Sequence, residues 1–128
     1  MATIDIGAET FQQTIAENDI VLVDFWAGWC GPCRQFAPVY EAAAEKHQDL
    51  VFASVDTEAE QELSGGLGIS SIPTLMAFRD GVLVFNQAGA LPAPALEELI
   101  EAVRGIDSDE LARAVAEQQG QNGQPSAS

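Results

Sequence analysis

The stretch that decides the fold runs from Val21 to Cys33 and reads "VLVDFWAGWCGPC". Ile20 to Ala27 is almost entirely apolar or aromatic, the composition of a central strand buried on both faces. One carboxylate, Asp24, interrupts it. The only two cysteines of the chain, Cys30 and Cys33, follow within a few residues. Cys33 to His47 then reads as a helix. Phe36, Val39, Tyr40 and Ala43 form a stripe at three- and four-residue spacing, and the run Ala42-Ala43-Ala44 favours helix. Pro38 inside it removes a backbone donor and is expected to kink it. The cysteine pair therefore stands where a buried strand gives way to a helix.

Working outward, Thr3 to Ile6 is short, alternating and β-branched, as an edge strand would be. Gly7 to Glu17 carries Phe11, Thr14 and Ile15 at helical spacing, and Asn18-Asp19 ends the pattern. Leu50 to Val55 is a second apolar strand, and Glu58 to Leu67 a short helix ending near Gly65-Gly66. Thr74 to Arg79 and Val82 to Gln87 read as strands joined by Asp80-Gly81, a hairpin turn signal. Leu96, Leu99, Ile100 and Val103 mark an amphipathic helix. The order β-α-β-α-β-α-β-β-α predicts an α/β fold with a central mixed sheet flanked by helices on both faces. Residues 1–105 form the expected domain. Residues 106–128 read as an extension: Asp107-x-x-Glu110 opens a short helix through Leu111 and Val115, and Gly120 to Ser128 is polar, breaker-rich and expected to be disordered.

Composition narrows the function. The chain has 128 residues, 47% of them hydrophobic, enough for one domain with a real core. Its formal net charge is −15, with 20 acidic against 5 basic residues, which argues against nucleic acid and against an anionic membrane surface. No segment is long and apolar enough to span a bilayer. Met1-Ala2-Thr3-Ile4-Asp5 lacks the basic and apolar regions of a signal peptide, so a cytoplasmic location is expected. In that reducing compartment a single Cys pair is more often catalytic than structural.

A cysteine at a helix N-cap faces free N–H groups, which together with the helix dipole favour a thiolate. Pro32 falls in the first turn, where a missing N–H costs nothing. The i,i+3 spacing brings both sulfurs within disulfide reach, and Arg34 adds a neighbouring positive charge. This predicts one exposed, reactive thiol and one shielded partner, a dithiol that cycles with a disulfide. Two other readings compete. Zinc wants four ligands, and the single histidine, His47, is 14 residues along the helix from Cys33, about 21 Å away at ~1.5 Å per residue. His47 itself reads as a surface residue at a helix end. An inert structural disulfide closing a four-residue loop would add little stability. The redox reading is preferred.

The segments "VDFWAGWCGPC", "SIPTLMAF", "DG" and "GAL" occur in the order and spacing of the thioredoxins, and over about residues 3–104 the chain resembles that family. Thioredoxins are themselves the standard example of this redox motif. The resemblance implies the thioredoxin fold and reduction of protein disulfides by dithiol–disulfide exchange. Cys30 would be the attacking nucleophile and Cys33 the resolving thiol. Pro73 matches a cis-proline opposite the cysteines, whose loop offers the backbone of Ile72 to a peptide in strand fashion; from the residues alone it is only a turn before a strand. Trp29, Gly31, Pro32, Ile72, Ala88, Gly89 and Ala90 match a mostly apolar contact surface. Trp29 has a core alternative, and Phe25 and Trp26 read as packing residues. Gly89 allows close backbone approach or is an ordinary strand-end glycine. Gly81 reads as turn chemistry. The resemblance also implies no bound cofactor, electrons from NADPH through a flavin-dependent thioredoxin reductase, disulfide-containing target proteins, and a monomer. The absence of a nucleotide-binding glycine pattern agrees with electrons arriving from another protein.

Asp24 is either a strand-end carboxylate bonded to backbone or water, or a buried proton acceptor for Cys33. The resemblance favours the second. The family commonly has a lysine where this chain has Ser54, and a serine supplies no charge. The pKa of Asp24 is therefore expected to lie higher than in relatives with the lysine. Two other functions remain: a disulfide oxidase or isomerase on the same fold, and a binding module or holdase that does not use the thiols.

Overall fold

The structure is a computed structural model describing residues 2–122, with side-chain surroundings through residue 118. Five strands form one mixed sheet in the order β1-β3-β2-β4-β5. They are β1 (Thr3–Asp5), β2 (Ile20–Trp26), β3 (Val51–Asp56), β4 (Thr74–Arg79) and β5 (Val82–Ala88). β1 and β2 each run parallel to β3, whereas β4 is antiparallel to both β2 and β5. The edge position of β1 and the central position of β2 are as expected.

Period-two alternation along β2 feeds two cores. Ile20 and Leu22 face one side, where Phe36, Tyr40, Ala43 and Ala44 of α2 (Gly31–Lys46) meet Leu96, Ile100 and Val103 of α4 (Ala93–Arg104). Val21, Val23 and Phe25 face the other, against Phe11 and Ile15 of α1 (Ala8–Glu17) and Leu63 of α3 (Gln61–Gly66). Phe25 is fully buried, which agrees with its reading as a packing residue. Helix α2 continues through Pro38 without a break. α3 starts later than the sequence implied because Asp56 Oδ1 accepts the N–H groups of Glu58 and Ala59, holding them in a turn. Asp80 and Gly81 both adopt positive φ (54° and 81°), the geometry of a two-residue hairpin.

His47 corrects an expectation. It is 9% exposed, not a surface residue. An arginine nitrogen only donates, so Arg104 Nη2, 3.0 Å away, makes His47 Nδ1 an acceptor. The ring proton then sits on Nε2, 2.8 Å from Glu97 Oε1. Arg104 also grips Asp49 through two bonds of 2.7 and 3.0 Å. The end of α2 is thus tied to α4.

Past α4, Asp107 Oδ1 accepts the N–H groups of Asp109 and Glu110 and caps α5 (Ser108–Asn122). α5 is longer than the short helix expected, because Ala112, Ala114, Ala116 and their Glu and Gln neighbours are good helix formers. It runs through Gly120 to Asn122, where disorder is expected from the sequence; residues 123–128 of that segment lie outside the described residues. Arg79 anchors its start through Ile106 O and Ser108 Oγ. Among the described residues no helix is long and apolar enough to cross a membrane.

Candidate active site around the cysteine pair

Cys30 is the N-cap of α2, in extended conformation, and its sulfur accepts the N–H of Cys33 at 3.2 Å. Pro32 sits in the first turn, where helices tolerate it. Cys30 and Cys33 are joined as a disulfide, with Cα atoms 5.2 Å apart. The Arg34 guanidinium donates to Gly28 O at 2.8 Å and ties the preceding loop to the helix. The expected exposed thiol is not seen. Cys30 is 4% and Cys33 3% exposed, because Trp26, Ala27 and Ile72 pack around the pair.

The segment before β4 closes over these sulfurs. The Ile72–Pro73 peptide is cis, and Ile72 O lies 3.7 Å from Cys30 Sγ. Ala88, the last residue of β5, is the register partner of Thr74, and Gly89 N–H donates to Pro73 O at 2.8 Å. Gly89 does not serve close approach: a Cβ there would meet nothing within 4 Å. Its φ of +106° is what requires glycine. Trp29 is 67% exposed, which removes its core alternative. Pro32, Ala88, Gly89 and Ala90 are exposed, Gly31 and Ile72 half-buried, and Pro73 buried. The structure thus brings Ile72 against the cysteines, with Pro73 next to it in the chain and Gly89 bonded to Pro73. Trp29, Gly31 and Pro32 flank them in the chain, and Ala90 follows Gly89.

Asp24 shares the face of Ile20 and Leu22, beneath α2. It is 4% exposed, and its Oδ1 has no hydrogen-bond partner. Loss of hydration on burial pushes its pKa from 3.8 up to about 7. Its register partner on β3 is Ser54, so the ungapped reading that placed Ser54 beside Asp24 holds in space. Asp24, Ser54 and Cys33 line one open cavity of about 590 Å³, together with Tyr40 and Glu41 of α2 and Thr3 and Asp5 of β1. Burial first, and the charge of Asp24 second, push the Tyr40 hydroxyl well above its ordinary value. No local sequence pattern marks the β1 side of this cavity, because Thr3 and Asp5 reach it only through the β1–β3 pairing. Among the described residues no group of three or more His, Cys, Asp or Glu side chains is placed to hold a metal.

Comparison with known proteins agrees with this geometry. The family model for thioredoxin matches residues 2–102. The chain is 58% identical over 122 residues to "Putative thioredoxin 2" of Streptomyces coelicolor, covering 95% of this chain and 91% of that relative. That alignment takes in residues of α5 beyond the family match. Thioredoxin 1 of Synechococcus elongatus is 45% identical over 94 residues, 72% of this chain and 88% of that one. Among solved structures, a mutant thioredoxin from Halobacterium salinarum superposes with a TM-score of 0.76 at 35% identity, covering 82% of this chain and 93% of that chain. On this family match and these identities the chain belongs to the thioredoxin family, with Cys30–Cys33 as the active-site disulfide of a thiol–disulfide oxidoreductase that reduces protein disulfides.

Proposed function

We propose that Cys30 is the attacking nucleophile, Cys33 the resolving thiol and Asp24 the proton acceptor for Cys33. In the reduced protein the Cys30 thiolate attacks a target disulfide. One target sulfur leaves as a thiolate, and a Cys30–target disulfide forms. The Cys33 thiol then passes its proton to Asp24 and attacks Cys30 Sγ. The second target thiolate leaves and the Cys30–Cys33 disulfide closes, so two electrons have moved to the target. The observation that carries this reading is that Asp24 and Cys33 line one cavity under the first turns of α2. The N-cap position of Cys30 supports it: the N–H that points at its sulfur also stabilises negative charge there.

The target surface in this reading is Trp29, Gly31, Pro32, Ile72, Pro73, Ala88, Gly89 and Ala90, with the Ile72 backbone paired to an extended peptide. The electrons come from NADPH through a flavin-dependent thioredoxin reductase, and the chain acts as a cytoplasmic monomer with no bound cofactor. Residues 1–105 are the catalytic domain and 106–128 an extension, a division supported by the family match ending at residue 102. Trapping tests the roles. Reduced Cys33→Ser should accumulate a mixed disulfide with disulfide-containing target proteins, and reduced Cys30→Ser should accumulate none. Trapping by Cys30→Ser instead would reverse the assignment. A strongly oxidising reduction potential would favour the oxidase or isomerase reading. Insulin reduction that survives Cys30→Ser would favour a binding module.

A further inference from the structure

The cavity beneath α2 is larger than proton transfer between Asp24 and Cys33 requires. At about 590 Å³ it falls within the roughly 300–1,000 Å³ range of small-molecule sites. Its walls are mostly apolar: Trp26, Ala27, Ala37, Pro38 and the Tyr40 ring. At its inner end is Asp24, 4% exposed, with Oδ1 lacking a partner, and beside it the half-buried Ser54 hydroxyl. Toward its outer side are Glu41, half-buried, and Asp5, exposed. Among the described residues the one cation in the lining is Arg34, which is exposed and donates to Gly28 O.

We propose that this cavity is a binding site for a short linear aliphatic diamine, one ammonium on Asp24 and Ser54, the alkyl chain along the apolar wall, and the second ammonium toward Asp5 and Glu41. Three features select that chemistry. A buried carboxylate oxygen without a partner is costly, and a primary ammonium brings three donors. An anion would meet three carboxylates. A divalent metal ion wants six or more oxygen ligands, which an apolar-walled slot with one buried carboxylate does not offer.

The site makes binding pH-dependent in a defined direction, because the ammonium pairs with ionised Asp24. With an Asp24 pKa of about 7, the ionised fraction at pH 5.5 is roughly thirty-fold below that at pH 8. Two other titrating groups of the cavity, Glu41 and Tyr40, hold their charge state through that window. Glu41 is kept below its ordinary value by hydrogen bonds from Thr3 and Ala2. Tyr40 is pushed up and stays neutral.

The test is an NMR titration of the oxidised protein with 1,4-diaminobutane, n-butylamine and 1-butanol, following the amides of Cys33, Ala37 and Ser54 and the Asp24 carboxyl carbon. It reads binding without turnover, so it is separate from the role of Asp24 in catalysis. Saturable shifts with the diamine, weaker ones with the monoamine, and a roughly thirty-fold loss of affinity at pH 5.5 are expected. Asp24→Asn should weaken binding at least tenfold. Ser54→Lys, which places the chain's own ammonium beside Asp24, should abolish it. Equal binding of 1-butanol, undiminished binding to either variant, or no saturable shift overturns the proposal.

Discussion

Asp24 and Ser54 are register partners across β2 and β3, side by side on the sheet face covered by α2. The pairing puts a hydroxyl, and no positive charge, next to the carboxylate that lines the same cavity as Cys33. Desolvation therefore acts on Asp24 without an opposing cation and holds its pKa near 7, within the working range of a general base.

That burial has a consequence for stability. A carboxyl whose pKa rises from 3.8 unfolded to about 7 folded stabilises the fold fully below about pH 3.8, and the contribution is lost as pH rises through 7. The difference is on the order of 4 kcal/mol. Asp24→Asn removes the ionisation and should stabilise the oxidised protein at pH 8 by a few kcal/mol, with little change at pH 4. Urea unfolding at the two pH values measures this. A variant no more stable than wild type at pH 8 contradicts the buried, unpaired carboxylate.

The same group should set the pH profile of catalysis. If Asp24 takes the proton of Cys33, resolution of the mixed disulfide speeds up as pH rises through about 7. Ser54→Lys should lower the Asp24 pKa and shift that limb to lower pH, while Asp24→Asn should remove the limb and slow resolution about 10²-fold. Stopped-flow resolution of a preformed mixed disulfide is the measurement. An unchanged profile in Ser54→Lys would mean that the two residues are not coupled.

Gly89 separates backbone strain from crowding. A Cβ at this position meets open space, so only its φ of +106° opposes a side chain. Gly89→Ala should cost about 1–3 kcal/mol of stability. Thermal unfolding reads the cost. A neutral effect would show that the turn after β5 relaxes to negative φ while keeping the Gly89 N–H bond to Pro73 O.

What could be read from the sequence follows the range of the forces involved. Ile20–Trp26 was legible because a strand buried on both faces has to be apolar throughout, and Asp24 stood out against it for the same reason. The N-cap role of Cys30 followed from the strand–helix junction and Pro32, both local. The covering of Cys30 was not legible, because Ile72 arrives from 42 residues away. The left-handed backbone of Gly89 leaves no mark that distinguishes it from a strand-end glycine. α3 was overextended because a single side chain, Asp56, diverts Glu58 and Ala59 into a turn. The diamine cavity needed the β1–β3 pairing, which no local pattern encodes.

His47 was misread for the same reason: its partners Glu97 and Arg104 lie 50 and 57 residues away in sequence. Its buried ring carries two hydrogen bonds to charged side chains, so His47→Ala should lower the unfolding free energy by about 1–3 kcal/mol. The loss should come from the α2–α4 contact, with Glu97→Gln having a smaller effect because an amide still accepts the Nε2 proton. Disulfide reduction should stay at the wild-type rate, since Cys30 and His47 cap opposite ends of the 16-residue α2, about 26 Å apart at ~1.5 Å per residue. Urea unfolding together with insulin reduction separates the two effects. A variant with slowed turnover and an unchanged unfolding midpoint would tie His47 to the active site instead of to the clasp between α2 and α4.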